Sequence, residues 1–260
     1  MDNPLYYEDF AWAELQDEKI QEKANLFLSL IPRDVKTILD LGCGNGIITN
    51  ILAEHFDVTG ADRSVAALKM VKTKKVQCNC NDLPFADGAF DMVLSSEMLE
   101  HLEENVYQET IAEIRRVARK YILISVPDSE HIQRDLIKCT NCGYFYNMNY
   151  HQRSMNTNLL MNAFNGYKFI QERTGGPLVK PSFRWLTKLK HKLAPASSWI
   201  PTYWTKKRKR NTLCPKCDHS FIIPFRHHPV SFVYDVLTYL FSKARPYWLI
   251  VLFEKQNTGI

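Results

Sequence analysis

The sequence predicts an α/β fold with a doubly wound, mostly parallel sheet. An aliphatic run, Ile38, Leu39 and Leu41, enters a turn that carries glycine at positions 42, 44 and 46. An apolar, helix-like segment follows at once, and strand-length apolar runs then alternate with helical segments along the chain. A strand, a glycine turn and a helix form the opening of a nucleotide-binding α/β unit, because glycine lets the backbone approach a ligand closely.

Hydrophobic periodicity predicts seven strands with helices between them. The predicted strands cover about residues 36–41, 56–62, 74–80, 90–96, 121–127, 167–172 and 248–253. The predicted helices cover about 46–55, 64–73, 103–118 and 154–165, and the glycines at 175 and 176 are expected to end the sixth strand.

The same periodicity divides the chain into four regions. Residues 1–35 form a helical extension that either packs on the domain or acts as a mobile lid. A core over 36–176, an insertion over 177–246 and a final core strand over 247–260 follow. The last strand is thus separated from the rest of the core by a long insertion.

Composition bounds the class of protein. A hydrophobic content of 45% leaves ample material for a core. No apolar run reaches the roughly 18 residues that a membrane span needs, and the N-terminus does not read as a signal peptide. Four of the seven cysteines form two C-x-x-C pairs, which suits a reducing compartment and a metal better than disulfides. We expect a cytoplasmic protein, with peripheral contact with a membrane as an option.

The charge is unevenly distributed. Residues 1–176 hold 18 Lys+Arg and 25 Asp+Glu, a net of −7, whereas residues 177–230 hold 12 Lys+Arg and one acid, a net of +11. A basic run at 206–210 lies near Trp199, Tyr203 and Trp204. Three interpretations stay open for it: an anionic membrane or phosphorylated glycan, RNA, and a solvated charge run.

The carboxylate at Asp62 indicates the kind of cofactor. It ends the second predicted strand, 20 residues after Gly42, where an acid can accept hydrogen bonds from both ribose hydroxyls. The alternative is that Asp62 is a helix N-cap or a surface acid. Ser64 is another candidate for the N-cap. Ile47 occupies the position of the third glycine in G-x-G-x-x-G, so a dinucleotide site is disfavoured.

Two stretches resemble the class I S-adenosylmethionine (SAM)-dependent methyltransferases. The stretch from Asp40 to Gly46 is similar to their D-x-G-x-G-x-G motif. Residues 79–93, with Leu83-Pro84-Phe85 and Asp87-Gly88-Ala89-Phe90-Asp91-Met92-Val93, are similar to D-x-x-x-LPF followed by D-G-x-F-D-x-V. The resemblance covers residues 36–127 and implies a Rossmann-like methyltransferase fold in which the seventh strand is antiparallel and returns between strands five and six.

The resemblance implies SAM as the cofactor and a set of residues that hold it. The predicted cofactor-binding residues are Asp40, Gly42, Gly44, Asp62, Asn79, Asp82 and Ser96. The family's adenine-contacting aspartate falls on Asn79, whose amide can still accept a hydrogen bond, and Asp82 is the alternative.

Two histidines are candidate general bases. The segment from Ser95 to Leu102 resembles the E-x-L-E-H motif of small-molecule O-methyltransferases, including those of quinone biosynthesis, and it places His101 beyond a strand end. A structural histidine that bonds a neighbouring loop is the alternative. His151, which follows the first C-x-x-C pair, is the second candidate. The alternative is that His151 is a surface histidine without a catalytic role.

The two C-x-x-C pairs predict one structural zinc ion. Cys139, Cys142, Cys214 and Cys217 have knuckle spacing, and four thiolates leave no open position for catalysis. His219 in place of one cysteine, or unrelated buried thiols, stay open. Segments 128–152 and 177–246 follow the fifth and sixth strands, so we expect zinc to join them in a lid above the cofactor.

Three functions are therefore weighed. The first is a SAM-dependent methyltransferase that methylates oxygen on a small molecule, a glycan or a lipid-linked precursor. The second is an rRNA or tRNA methyltransferase that uses the zinc and the basic insertion to bind RNA; the sequence lacks an Asn-Pro-Pro-Tyr-type motif, which disfavours amino methylation of bases. The third is a non-catalytic, zinc-containing scaffold.

Overall fold

The computed structural model describes residues 18–194, 211–223 and 228–256 of the 260-residue chain. Its helices are α1 Glu18–Leu30, α2 Ile47–Leu52, α3 Val65–Leu68, α4 Glu104–Val117, α5 Thr157–Ala163, α6 Arg184–Leu193 and α7 Pro229–Phe241. Its strands are β1 Thr37–Leu41, β2 Asp57–Asp62, β3 Lys74–Gln77, β4 Phe90–Ser96, β5 Ala118–Pro127, β6 Leu136–Lys138, β7 Phe145–Asn147, β8 Tyr167–Val179, β9 Asn211–Leu213, β10 Ser220–Ile222 and β11 Arg245–Lys255.

A seven-stranded sheet forms the centre of the fold, in the order β3-β2-β1-β4-β5-β11-β8. The pairs among β1 to β5 are parallel, and β11 runs antiparallel to β5. This confirms the predicted fold class, including the return of the last strand between the fifth and sixth core strands. The carboxyl ends of β1, β2 and β4 consequently lie along one edge of the sheet.

Side chains alternate between two apolar layers along the strands, as the period of a strand requires. Leu39, Val93 and Ile122 belong to one buried cluster, while Ile38 and Met92, next to them in the chain, belong to the other. All five side chains are fully buried. The sheet therefore has a hydrophobic core on each face, as expected for a doubly wound fold.

The described part of the N-terminal extension is packed into the domain. In α1, Ala24, Phe27 and Leu30 recur at helical spacing and are buried. Phe27 and Leu30 join the same apolar cluster as Ile38 of β1. This helix thus contributes side chains to the core of the sheet.

Several elements differ in extent from the sequence prediction: α2 ends at Leu52, and β5 and β11 begin three residues earlier than predicted. The helix expected over 64–73 ends at Leu68, and the third strand ends at Gln77. The sixth strand was predicted to end at its glycine pair and instead continues to Val179. A Cβ added at Gly175 would lie 2.5 Å from Leu26 Cδ1, and one at Gly176 would lie 2.5 Å from Trp248 Cδ2. The glycines thus mark a close approach of other side chains to the strand rather than its end.

The described residues divide into two compact units. The larger, here called the sheet unit, comprises the described residues 18–128, 155–177 and 246–256, and the smaller, the cysteine unit, comprises 129–154, 178–194, 211–223 and 228–245. The cysteine unit contains the hairpins β6–β7 and β9–β10. The basic run at 206–210 and its aromatic neighbours lie outside the described residues. Among the helices that the structure describes, none has the length and apolarity needed to cross a bilayer.

Candidate functional site

The glycine turn joins β1 to α2 with a left-handed backbone at each glycine. The φ angles are 74° at Gly42, 53° at Gly44 and 72° at Gly46, a region that residues with a side chain rarely adopt. A Cβ at Gly42 would lie 2.6 Å from Met98 Sδ, so a larger residue there would displace the segment after β4. The N–H groups of Gly42 and Cys43 donate to the carbonyl of Ala61 at 2.8 and 3.1 Å, which fixes the turn against the end of β2.

Asp62, at the carboxyl end of β2, is joined to this turn by a hydrogen bond. Its Oδ2 accepts from the backbone N–H of Gly44 at 2.8 Å, and its Oδ1 accepts from the N–H of Ser64 at 2.8 Å. Burial raises the pKa of this carboxyl, and these two N–H donors oppose that rise. A carboxylate has about four acceptor sites, so Asp62 retains capacity for two further donors such as ribose hydroxyls. Ser64 itself caps α3, so both residues act at this strand end.

Asp40 lies behind the turn and is only 2% exposed. Its Oδ2 accepts from Thr49 Oγ1 of α2 at 2.7 Å. Burial is the main cause that raises its pKa to about 6, with a contribution from the charge of Asp62. Asp40 thereby holds the first turns of α2 against β1 and fixes the position of the glycine loop.

Asn79 and Asp82, the two adenine-site candidates, follow β3 and are exposed. The N–H of Asp82 donates to the carbonyl of Asn79 at 3.2 Å, and Cys78 N–H donates to the carbonyl of Asp62 at 3.1 Å. The candidate adenine segment is therefore tied to the strand end that carries Asp62.

The Leu83-Pro84-Phe85 stretch is anchored by α4. Arg116 donates from Nη2 to the carbonyl of Leu83 at 3.0 Å and from Nη1 to the carbonyl of Phe85 at 2.6 Å. Glu113 accepts from the N–H of Leu83 at 2.8 Å. These contacts give the LPF motif a structural role beside the candidate site.

Glu97, in the segment after β4, forms a partly buried charge pair that was not predicted from the sequence. Glu97 has φ 53° and accepts at Oε1 from Lys23 Nζ of α1 at 2.9 Å and from Ser125 Oγ of β5 at 3.0 Å. Lys23 is buried and also lies over the ring of Trp248, 4.7 Å from its centroid. The only sequence signal was Glu97 as the first acid of the E-x-L-E-H segment.

Ser96 and His101 frame that segment. Ser96 is half-buried at the last position of β4, paired in register with Ser125. His101 lies in a short 3₁₀ helix, Leu99–His101, and its N–H donates to the carbonyl of Met98 at 3.0 Å. Its Nε2 lies 3.9 Å from Oε1 of the buried Glu100. Since Met98 packs on Gly42, the 3₁₀ helix begins beside the glycine turn.

His151, the other candidate base, belongs to the cysteine unit. It is buried, and its Nδ1 pairs with Oε2 of Glu130. A carboxylate on Nδ1 fixes the orientation of the ring. His151 is therefore not the surface histidine that was the alternative, while its role as a base stays a prediction.

The four cysteines of the C-x-x-C pairs converge in the cysteine unit. Their sulfur atoms all lie within 4.8 Å of one another. Cys139 Sγ lies 3.7 Å from Cys217 Sγ, and Cys142 Sγ lies 3.6 Å from Cys214 Sγ. These distances are far longer than a disulfide bond and match the about 3.8 Å expected between thiolates around a tetrahedral zinc with bonds of about 2.3 Å.

The backbone around the cysteines has the shape of two knuckles. After Cys139, the N–H groups of Asn141 and Cys142 point at its sulfur at 3.4 and 3.5 Å, and Gly143 has φ 72°. Asp218 takes the matching left-handed position after the second pair, with φ 54°. N–H donors aimed at a sulfur stabilise a thiolate, so the donor set fits a zinc ion.

Comparison with known proteins gives a consistent picture. Residues 39–123 match the family described as "Methyltransferase domain". An uncharacterised protein of Methanocaldococcus jannaschii is 34% identical over 126 residues, which cover 46% of this chain and 54% of that protein. The ajmaline N-methyltransferase of Rauvolfia serpentina is 32% identical over 114 residues, which cover 39% of this chain and 38% of that enzyme. The chain thus spans about half or less of these relatives' length.

A solved structure extends the likeness in fold. The 1,6-didemethyltoxoflavin-N1-methyltransferase of Burkholderia thailandensis, with bound 1,6-didemethyltoxoflavin and S-adenosylhomocysteine, aligns with a TM-score of 0.54 and 14% identity. The alignment covers 97% of this chain and 85% of that one. At that identity the likeness establishes the fold. The glycine turn, Asp62 and the LPF loop thus lie within the residues that match the methyltransferase family, and the fold of the chain is similar to that of a solved methyltransferase.

Proposed function

We propose that this protein is a SAM-dependent methyltransferase that methylates oxygen on a small molecule, a glycan or a lipid-linked precursor. The observation that carries the proposal is the carboxylate of Asp62, bonded to the amide of Gly44 across the glycine turn within the stretch that matches the methyltransferase family. SAM, when bound, supplies a methyl group already activated on a sulfonium. The protein has only to position the acceptor, exclude water and remove a proton.

Each residue of the cofactor site has a proposed task. Asp62 accepts from the ribose hydroxyls, while the turn from Gly42 to Gly44 brings its backbone close to the cofactor without side chains in the way. Asp40 keeps the turn in place through Thr49. Asn79 or Asp82 accepts from the adenine amino group, and Ser96 offers a hydroxyl at the end of β4.

His101 is the proposed general base for the acceptor hydroxyl. It follows β4, at the sheet edge where ligands of open α/β sheets bind. An imidazole suits this task because its ordinary pKa lies near neutral pH. His151, oriented by Glu130, is the second candidate.

We also propose one structural zinc ion bound by Cys139, Cys142, Cys214 and Cys217. The sulfur spacing and the N–H donors at Cys139 support it. The ion would join the segment around β6–β7 to the segment around β9–β10, which are far apart in the chain. Its role in a lid over the cofactor stays a prediction.

The proposal is tested with the purified protein, SAM carrying a labelled methyl group, and fractions of a cell extract as acceptors. Label is expected to enter an organic-soluble or glycan fraction and to survive treatment of the extract with ribonuclease. Label that disappears after ribonuclease treatment would instead establish the RNA methyltransferase alternative. A protein that neither binds SAM nor transfers label would leave only the non-catalytic scaffold.

A further inference from the structure

The buried face of helix α7 consists of hydroxyl-bearing residues, while several of its large apolar side chains are exposed. Its buried residues are Ser231, Tyr234 and Thr238, spaced three and four apart on one face. On the opposite side Val233, Tyr239 and Leu240 are exposed, by 52%, 67% and 64%. A surface helix of a globular protein shows the opposite arrangement.

Helix α6, which packs against α7, has a similar reversal. Thr187 and Lys190 are buried, and Thr187 Oγ1 lies 2.9 Å from the hydroxyl of Tyr234 in α7. Trp185, Leu189 and Leu193 recur every four residues and are exposed, Trp185 by 65%. The contact between the two helices is thus partly polar, while the aromatic and aliphatic side chains face outward.

A basic stripe runs beside the apolar stripe of α6. Arg184, Lys188 and Lys192 are exposed on the side adjacent to Trp185 and Leu189. α6 contains no Asp or Glu, and residues 177–230 contain 12 Lys+Arg against one acid. Beside α7, Lys180 lies over the ring of Tyr239, 4.0 Å from its centroid.

We propose that α6 and α7 dock on the surface of an anionic lipid bilayer. A helix that lies in the membrane interface has an apolar face with aromatic residues and a polar face rich in Lys and Arg, which is the pattern of α6. The helices have 10 and 13 residues, too short to span a bilayer and sufficient to lie in its interface. Trp185 and Tyr239 suit the headgroup boundary because each has an apolar ring and a polar tip.

The charge favours a bilayer over a protein partner or a second copy of the chain. Two copies of the α6 surface would bring like-charged stripes together, whereas anionic headgroups neutralise them. The proposal goes beyond methyl transfer and does not depend on it, since lipid binding is measured without SAM.

The test is flotation of the full-length protein with vesicles of phosphatidylcholine alone or mixed with phosphatidylglycerol. Wild type is expected to float with the mixed vesicles and much less with the neutral ones. The variant Val233→Ser/Leu240→Ser should reduce the partition coefficient about tenfold for each side chain. Lys188→Gln/Lys192→Gln should reduce it about fivefold for each lysine, with the mixed vesicles only.

Leu159→Ser/Met161→Ser is the matched control, since these apolar residues of α5 are also exposed. It should float as wild type does. A wild type that floats with neither vesicle, or a control that loses as much binding as the α7 variant, would overturn the proposal. So would a dimer in sedimentation velocity that the α7 variant dissociates, because the surface would then bind a second copy. Titration of the same proteins with SAM tests the methyltransferase proposal separately, because a protein that fails to bind vesicles can still bind SAM.

Discussion

Substitution of Asp62 probes the proposed cofactor site most selectively. In Asp62→Ala, the N–H groups of Gly44 and Ser64 lose acceptors that now lie at 2.8 Å, and the ribose hydroxyls of SAM lose theirs. Hydrogen bonds to a charged group contribute about 1.5–3 kcal/mol each. The bonds to Gly44 and Ser64 also exist without SAM, so their loss destabilises the free protein and only the loss of the ribose bonds weakens SAM binding. We therefore expect SAM binding to weaken by about 1–3 kcal/mol, or about five- to 150-fold.

The assay is calorimetric titration of each folded protein with SAM and with S-adenosylhomocysteine. Asp62→Asn serves as an isosteric step, because its amide oxygen can replace one carboxylate oxygen as an acceptor. The SAM affinity of Asp62→Asn should lie between those of the wild type and of Asp62→Ala. Thermal unfolding of each variant, recorded without ligand, shows that the protein is folded at the titration temperature.

Asp57→Ala is the matched control. Asp57 begins the same strand at its opposite end and pairs with Lys74 Nζ on the surface at 2.7 Å. Its removal should leave SAM affinity unchanged, since an exposed ion pair contributes little. If Asp62→Ala stays folded and binds SAM as tightly as wild type, the ribose role assigned to Asp62 is wrong.

Three further predictions address stability and the metal. Burial raises the pKa of Asp40 from 3.8 to about 6, so its contribution to stability is complete below pH 3.8 and lost as pH rises through about 6. At 1.36 kcal/mol per pKa unit, the unfolding free energy of the wild type relative to that of Asp40→Asn should therefore fall by about 3 kcal/mol from acid to neutral pH. Urea titrations measure both unfolding free energies, and a difference between the two proteins that does not change with pH would contradict the prediction. Lys23→Met leaves the carboxylate of Glu97, whose side chain is 29% exposed, without its cation and should cost about 1–2 kcal/mol of unfolding free energy, whereas an unchanged urea midpoint would show that the pair is not stabilising. Wild type should contain one zinc per chain by elemental analysis and Cys142→Ser much less, and a full zinc content in that variant would exclude Cys142 as a ligand.

Local patterns in the sequence predicted the parts of the site that are close in the chain. The glycine turn follows β1 directly, and the relation of Asp62 to it follows from parallel pairing of β1 with β2. Convergence of the C-x-x-C pairs was also predictable, because zinc ligand spacing is a strong and local signal.

Features that depend on distant contacts could not be predicted. Lys23 and Glu97 are 74 positions apart, and neither has a local pattern that marks it as half of a buried pair. Gly175 and Gly176 were interpreted as a strand end because glycine serves both turns and close approaches, and only the packing of Leu26 and Trp248 distinguishes these uses. The polar character of the buried face of α7 could not be predicted either, because periodicity does not show which side of a helix is buried.

Calorimetric titration of the wild-type protein with SAM tests the central claim most directly. The account predicts saturable binding of one SAM per chain, competition by S-adenosylhomocysteine and no heat with a pyrophosphate dinucleotide. Absence of SAM binding by the folded, zinc-loaded protein, or binding of the dinucleotide in its place, would contradict it.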